Sequence, residues 1–113
     1  MHRIIALAFY LNVLLLVAAA PVAAQEAEAG EANYDRVICW SCHGYEGQGG
    51  RHGPAIAHTQ LPYEAFSSFV RNTSGSMPPY TVNVLSEQEL QDIYAFLQAI
   101  PAPPNRSTIL LLQ

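Results

Sequence analysis

The sequence predicts a small helical domain behind an apolar leader, and three observations carry that prediction. Apolar residues recur at spacings of three and four in three separate segments. Glycine and proline gather between those segments rather than inside them. No strand pattern extends beyond Tyr80 to Val84. The length bounds the domain count. Half of the 113 residues are apolar, but Met1 to Ala24 hold 20 of those 57. The other 89 residues hold 37, an ordinary share for a globular domain. A chain of that size builds a thin core, so a staple or cofactor adds materially to its stability.

The leader comes first. Met1-His2-Arg3 is a short basic start, Ile4 to Ala20 is an apolar run broken by Asn12, and Val22-Ala23-Ala24 meets Gln25. Small residues at the −3 and −1 positions predict cleavage after Ala24, which makes 1–24 a signal peptide. The alternative is a retained anchor, since the apolar run almost spans a bilayer. Export predicts an oxidising compartment, a bacterial periplasm. Loss of Arg3 leaves four arginines against nine carboxylates, a net charge of −5, and the chain has no lysine. That composition excludes a basic nucleic-acid footprint. A charge-steered partner must offer a positive patch, or dock through apolar contacts.

Glu26 to Glu31 is polar and alanine-rich, and reads as a frayed start. Tyr34, Val37 and Ile38 then share one helical face, with the acidic residues near the helix start, where they suit its dipole. Gly44 to Pro54 carries six glycines and prolines and reads as an irregular loop. A second helix is expected from Pro62 to about Asn72, with Phe66, Phe69 and Val70 on its apolar side. Thr73 to Tyr80 is loop, because two consecutive prolines stop a helix. In the last helix Ser86 and Glu89 form a capping box, and Leu90, Ile93, Tyr94, Leu97 and Ile100 mark one broad face. Pro101 ends it. Residues 102–113 form a proline-rich linker and an apolar tail, read as a terminus packed on the domain, or alternatively as a patch for a partner subunit.

The chemistry concentrates in Cys39-Trp40-Ser41-Cys42-His43. A disulfide at this spacing closes a tiny loop and adds little stability. Thioredoxin-type redox chemistry needs a βαβ context that no strand pattern here provides. Zinc needs four ligands, and there is no second cysteine pair. Covalent haem fits best: two thiols on one helical turn each add across a vinyl group, and the adjacent histidine is placed to coordinate iron. The other axial side calls for a soft thioether. Met77 is the one methionine left after cleavage, and it lies in the stiff loop Gly75-Ser76-Met77-Pro78-Pro79. A core-filling role is the alternative for Met77. His52 and His58 are rival ligands, with His52 close to His43 in sequence. Pro54 is the best candidate for a carbonyl that orients His43. Trp40, Tyr45 and Tyr80 are candidates for packing on haem or bonding its propionates.

These residues resemble a small monohaem class I cytochrome c of the bacterial periplasm. The resemblance covers about Gly30 to Pro101 and rests on CWSCHG, GRHGPAI, SGSMPPY and LSEQELQDIYAFLQAIP, in that order. It implies an all-α, cytochrome c-like single domain over residues 25–101, three to four short helices wrapped around one covalently bound haem c, with the first and last helices crossing. It further implies thioethers at Cys39 and Cys42, axial iron ligands His43 and Met77, and a Pro54 carbonyl on His43. Phe96 matches the aromatic that packs near the first helix in that family. There are two departures. The family's aromatic four residues before the first cysteine is replaced by Asp35, with Tyr34 one position earlier, so a local alteration of the helix crossing is expected. The lysine ring of mitochondrial relatives is absent, so their partners do not transfer.

The function expected is one-electron transfer in the periplasm, between redox partners such as a dehydrogenase donor and an oxidase or reductase acceptor. No catalytic residues, nucleic acid or lasting membrane insertion are expected. The rivals are a dedicated cytochrome subunit of a periplasmic dehydrogenase, an open-iron peroxidase or gas sensor, and a thiol-disulfide oxidoreductase using Cys39 and Cys42.

Overall fold

A computed structural model describes residues 22–103 and shows four helices with no strand among them. They are α1 (Val22–Arg36), α2 (Trp40–His43), α3 (Tyr63–Asn72) and α4 (Glu87–Ala99). The leader up to Pro21 and the tail Asn105 to Gln113 lie outside the described residues. Among those described, no helix is long and apolar enough to cross a membrane.

The frame is the crossing of α1 over α4. Gly30 makes it possible: a Cβ at this position would sit 1.9 Å from the Asp92 carbonyl oxygen and 2.8 Å from Phe96 Cβ. One turn on, Tyr34 is fully buried and its ring lies 5.4 Å from that of Phe96. Leu90, Ile93 and Leu97 of α4 are buried beside them, with Leu85 just before the helix. Ser86 caps α4 by accepting from the Glu89 backbone N–H, while the Glu89 carboxylate accepts from the Ser86 N–H. Ile100 follows the last turn and Pro101 prevents another, as the sequence predicts.

α1 differs from its expected form in two ways. It is already helical at Val22, the first described residue, so Glu26 to Glu31 are helical rather than frayed. The helix ends at Arg36, which removes Ile38 from the face it was expected to share with Tyr34 and Val37. Ile38 instead adopts φ 55° and is 58% exposed. Its N–H donates to the Asp35 carbonyl, and the Cys39 N–H donates to that of Tyr34, both at 3.1 Å. This is the Schellman termination, with a β-branched residue where glycine is usual. One turn before this end, the Tyr34–Phe96 ring contact holds the crossing.

α3 starts at Tyr63 with Pro62 immediately before it. Phe66 and Val70, four residues apart, pack into the core. Phe69 does not join them on the buried face: it is 59% exposed and borders a cavity. Tyr80 to Val84, the longest strand-like run, is a turn instead.

Candidate haem site

α2 is a single turn, and it sets the chemistry. Its Cys42 and His43 N–H groups donate to the Cys39 carbonyl at 3.3 and 3.0 Å, which brings both thiols and the imidazole onto one wall. That wall faces a cavity of about 610 Å³, within the range of small-molecule and cofactor sites. Cys39, Cys42, His43, Pro54 and Met77 all line it. So do seven of the nine core residues, among them Val70, Leu85 and Leu97. Among the described residues no Asp, Glu, Lys or Arg borders it. The space is therefore apolar, and suited to a large flat hydrophobic group.

His43 is 8% exposed, and its Nδ1 lies 2.8 Å from the Pro54 carbonyl oxygen. A carbonyl only accepts, so Nδ1 carries the proton and Nε2 keeps its lone pair. The loop from Gly44 to Pro54 makes this contact possible. Its Gly49 N–H donates to the His43 carbonyl at 2.7 Å, and the Gly50 N–H to that of Gly53 at 3.0 Å. Gly53 passes so close to His43 that a Cβ there would lie 2.9 Å from Nδ1. The start of the loop is tied to α1, because the Tyr34 hydroxyl donates to the Gly44 carbonyl at 2.7 Å. Burial pushes the Tyr34 hydroxyl well above its ordinary value, so it stays a donor at any physiological pH.

Met77 reaches the same cavity from a strap between α3 and α4 and is half-buried against the core. The strap is fastened at Tyr80. The Tyr80 N–H donates to the Val70 carbonyl and its hydroxyl to the Val37 carbonyl, both at 3.1 Å. Arg71 donates from Nη1 to the carbonyls of Tyr80 and Leu85 at 2.9 and 2.6 Å, and pairs through Nη2 with Glu87 at 3.2 Å.

The other candidates fall elsewhere. His52 is exposed and borders the cavity. His58 does not border it. Its backbone sits at φ 55°, its N–H donates to the Leu97 carbonyl, and its Nε2 is buried with no hydrogen-bond partner. Trp40 and Tyr45 stack on each other at 5.0 Å, outside the cavity wall. Tyr80 borders the cavity, but its hydroxyl is spent on Val37. Sequence reading missed Arg71 and the tight fit of Gly53. The signal for Arg71 was a lone cation on an amphipathic helix a few residues before the methionine loop.

The donor set discriminates among cofactors. No three His, Cys, Asp or Glu converge on one point among the described residues, so a bare ion would lack ligands. A macrocycle that brings its own four nitrogens needs only axial donors. Burial and the neighbouring Cys42 push the Cys39 thiol up to about 11. Thiol-disulfide catalysis depends on a lowered thiol pKa, so this environment does not suit it.

A helical shell closed by its first and last helices around an apolar cavity, with two thiols and a histidine on one wall, defines a protein of the c-type cytochrome class. The chain belongs to the family described as cytochrome C oxidase, cbb3-type, subunit III, whose model matches residues 25–97. Membership implies a covalently bound haem c with iron, and a part in electron transfer with redox partners. Neither a curated protein nor a solved structure matches the chain.

Proposed function

We propose that the chain is an exported, periplasmic one-electron carrier in which Cys39 and Cys42 bind haem as thioethers and His43 and Met77 hold its iron. Residues 1–24 act as the cleaved signal peptide and 25–101 as the working domain. Cys39 and Cys42 would hold the group by adding each S–H across one vinyl C=C, with the S–C bond formed at one carbon and the hydrogen passed to its neighbour, so attachment would need no oxidant. Haem held there supplies an iron centre that cycles by one electron. The rest falls to the chain's own residues. His43 presents Nε2 while the Pro54 carbonyl fixes its ring and raises its basicity. Met77 offers a soft sulfur that favours the reduced state. The apolar wall excludes water and lowers the dielectric around the centre. His43 and Met77 together would leave no substrate site at the metal, which is why the reading is a carrier and not an enzyme.

One observation carries this reading: the 2.8 Å contact from His43 Nδ1 to the Pro54 carbonyl, made at the wall of the cavity that Met77 also borders. The test is a visible spectrum with a pyridine haemochrome assay on protein exported alongside haem-attachment machinery. The expected result is one covalent haem per chain and a weak thioether–iron charge-transfer band that Met77→Ala abolishes. Haem without that band would move Met77 off the iron, and a colourless protein would remove haem altogether.

A second reading is a cytochrome subunit held in a respiratory oxidoreductase complex. It is favoured by the family's description, which names an oxidase subunit. Co-purification of a larger subunit under gentle conditions decides between the two.

A further inference from the structure

The strap that brings Met77 to the cavity has little to hold it from within. Pro78 and Pro79 supply no N–H, and both are exposed. Ser74 to Ser76 are exposed as well. Its fastening comes from outside: Tyr80 bonds to the Val70 and Val37 carbonyls, and one further side chain grips two carbonyls of the segment that follows Met77. The Arg71 guanidinium lies at the last turn of α3, with only 14% of the side chain exposed. It grips the strap just after Met77, at the Tyr80 carbonyl, and again at the Leu85 carbonyl where the chain enters α4. Glu87, on the solvent side, accepts from Nη2 at 3.2 Å and takes no part in the two carbonyl bonds. A charged donor serving two carbonyls forms the stronger kind of hydrogen bond, and losing it would leave both carbonyls without that partner.

We infer that Arg71 is a positioning residue for the methionine side of the haem, a clamp that sets how often the strap swings Met77 away from the iron. The inference rests on the reading of Met77 as the axial ligand. An external ligand can enter only when the strap is open, so its rate of entry reports the open fraction. Without the clamp the closed state loses bonds that the open state never had, and the open fraction rises.

The experiment is carbon monoxide binding to the reduced, haem-loaded protein, followed beside the ferric charge-transfer band and far-ultraviolet circular dichroism. Arg71→Gln is expected to bind carbon monoxide about tenfold faster or more, the equivalent of about 1.4 kcal/mol. Its charge-transfer band should fade on heating before helix is lost. Glu87→Gln leaves both carbonyl bonds in place, and its rate should stay within about twofold of the parent. A parent protein with the band, and an Arg71→Gln variant whose rate is unchanged, would overturn the clamp and leave the Met77 reading intact. A parent protein without the band would overturn the Met77 reading itself. Equal acceleration by Glu87→Gln would also overturn the clamp, because the carbonyl bonds would not be what restrains Met77. If Arg71→Gln yields no haem-loaded protein, Arg71→Lys decides. It keeps the charge but loses the fork, so about threefold acceleration is expected, and an unchanged rate overturns the inference.

Discussion

Gly30→Ala tests the architecture at its tightest point. An added Cβ would meet the Asp92 carbonyl oxygen at 1.9 Å, where real Cβ contacts essentially never fall below 3.0 Å. The helices must therefore part locally by about 1.1 Å. The obstacle is backbone, so no side-chain rotation relieves it. Overpacking of this kind costs about 3 kcal/mol at the upper end of its range. Alanine's better helix propensity returns about 1 kcal/mol. The net loss of about 2 kcal/mol corresponds to a fall in Tm of about 8–16 °C for a domain this small. The assay is thermal unfolding of the haem-loaded protein by circular dichroism, with Ala29→Gly as the reference. Ala29 is exposed on the same helix and loses only propensity, about 1 kcal/mol. A Gly30→Ala protein that melts at or above the parent would refute the close crossing, because no other feature of the site would absorb the clash.

Two further predictions come from the same frame, beside those for Met77→Ala and Arg71→Gln above. Tyr34→Phe keeps the ring against Phe96 but removes one of two donors to the Gly44 carbonyl, which still accepts from the Gly47 N–H, and should cost about 0.5–1.5 kcal/mol in urea unfolding. Equal stability would mean that water replaces the hydroxyl. The acid limb of stability is the second. The Ser86 cap holds the Glu89 carboxyl below its usual 4.5, and Tyr63 with Arg71 does the same for Glu87. The unfolded chain then takes up these protons first, so the contribution is complete above pH 4.5 and is lost as pH falls through the lowered folded values. A Glu87→Gln, Glu89→Gln double variant should show a flatter decline of urea midpoint below pH 4.5. Identical acid limbs would contradict the assignment.

What could be read from the sequence was mostly local. Ser86 and Glu89 cap α4 through bonds between residues three apart, so their spacing is the whole signal. Pro62 marks the start of α3 for the same reason. The misses share one cause. The apolar spacing of Tyr34, Val37 and Ile38 carries no trace of the helix ending between them, since an isoleucine holds the left-handed position where a glycine would have announced it. Phe69 borders the cavity beside Phe66 and Val70, as the apolar face of α3 predicts, but it is exposed there where they are buried, and a cavity is not a property of one helix. Arg71 reads as a surface charge until the carbonyls of Tyr80 and Leu85 are brought to it by the fold. At the site, the motif and its order gave the residues that border the cavity, while the backbone that shapes it stayed hidden.

Seven of the nine core residues serve also as walls of the cavity, so the interior is complete only when something fills it. The consequence reaches into the life of the chain before it carries any electron. A copy that has missed its cofactor keeps the crossing of α1 and α4 but leaves the walls of the cavity unpacked, and is expected to open more often. Each opening presents the Gly44 to Pro54 loop and the Met77 strap to proteases, at a rate set by the population of open chains. A filled copy closes and survives. Loading is thus expected to protect the chain from proteolysis as well as to equip it.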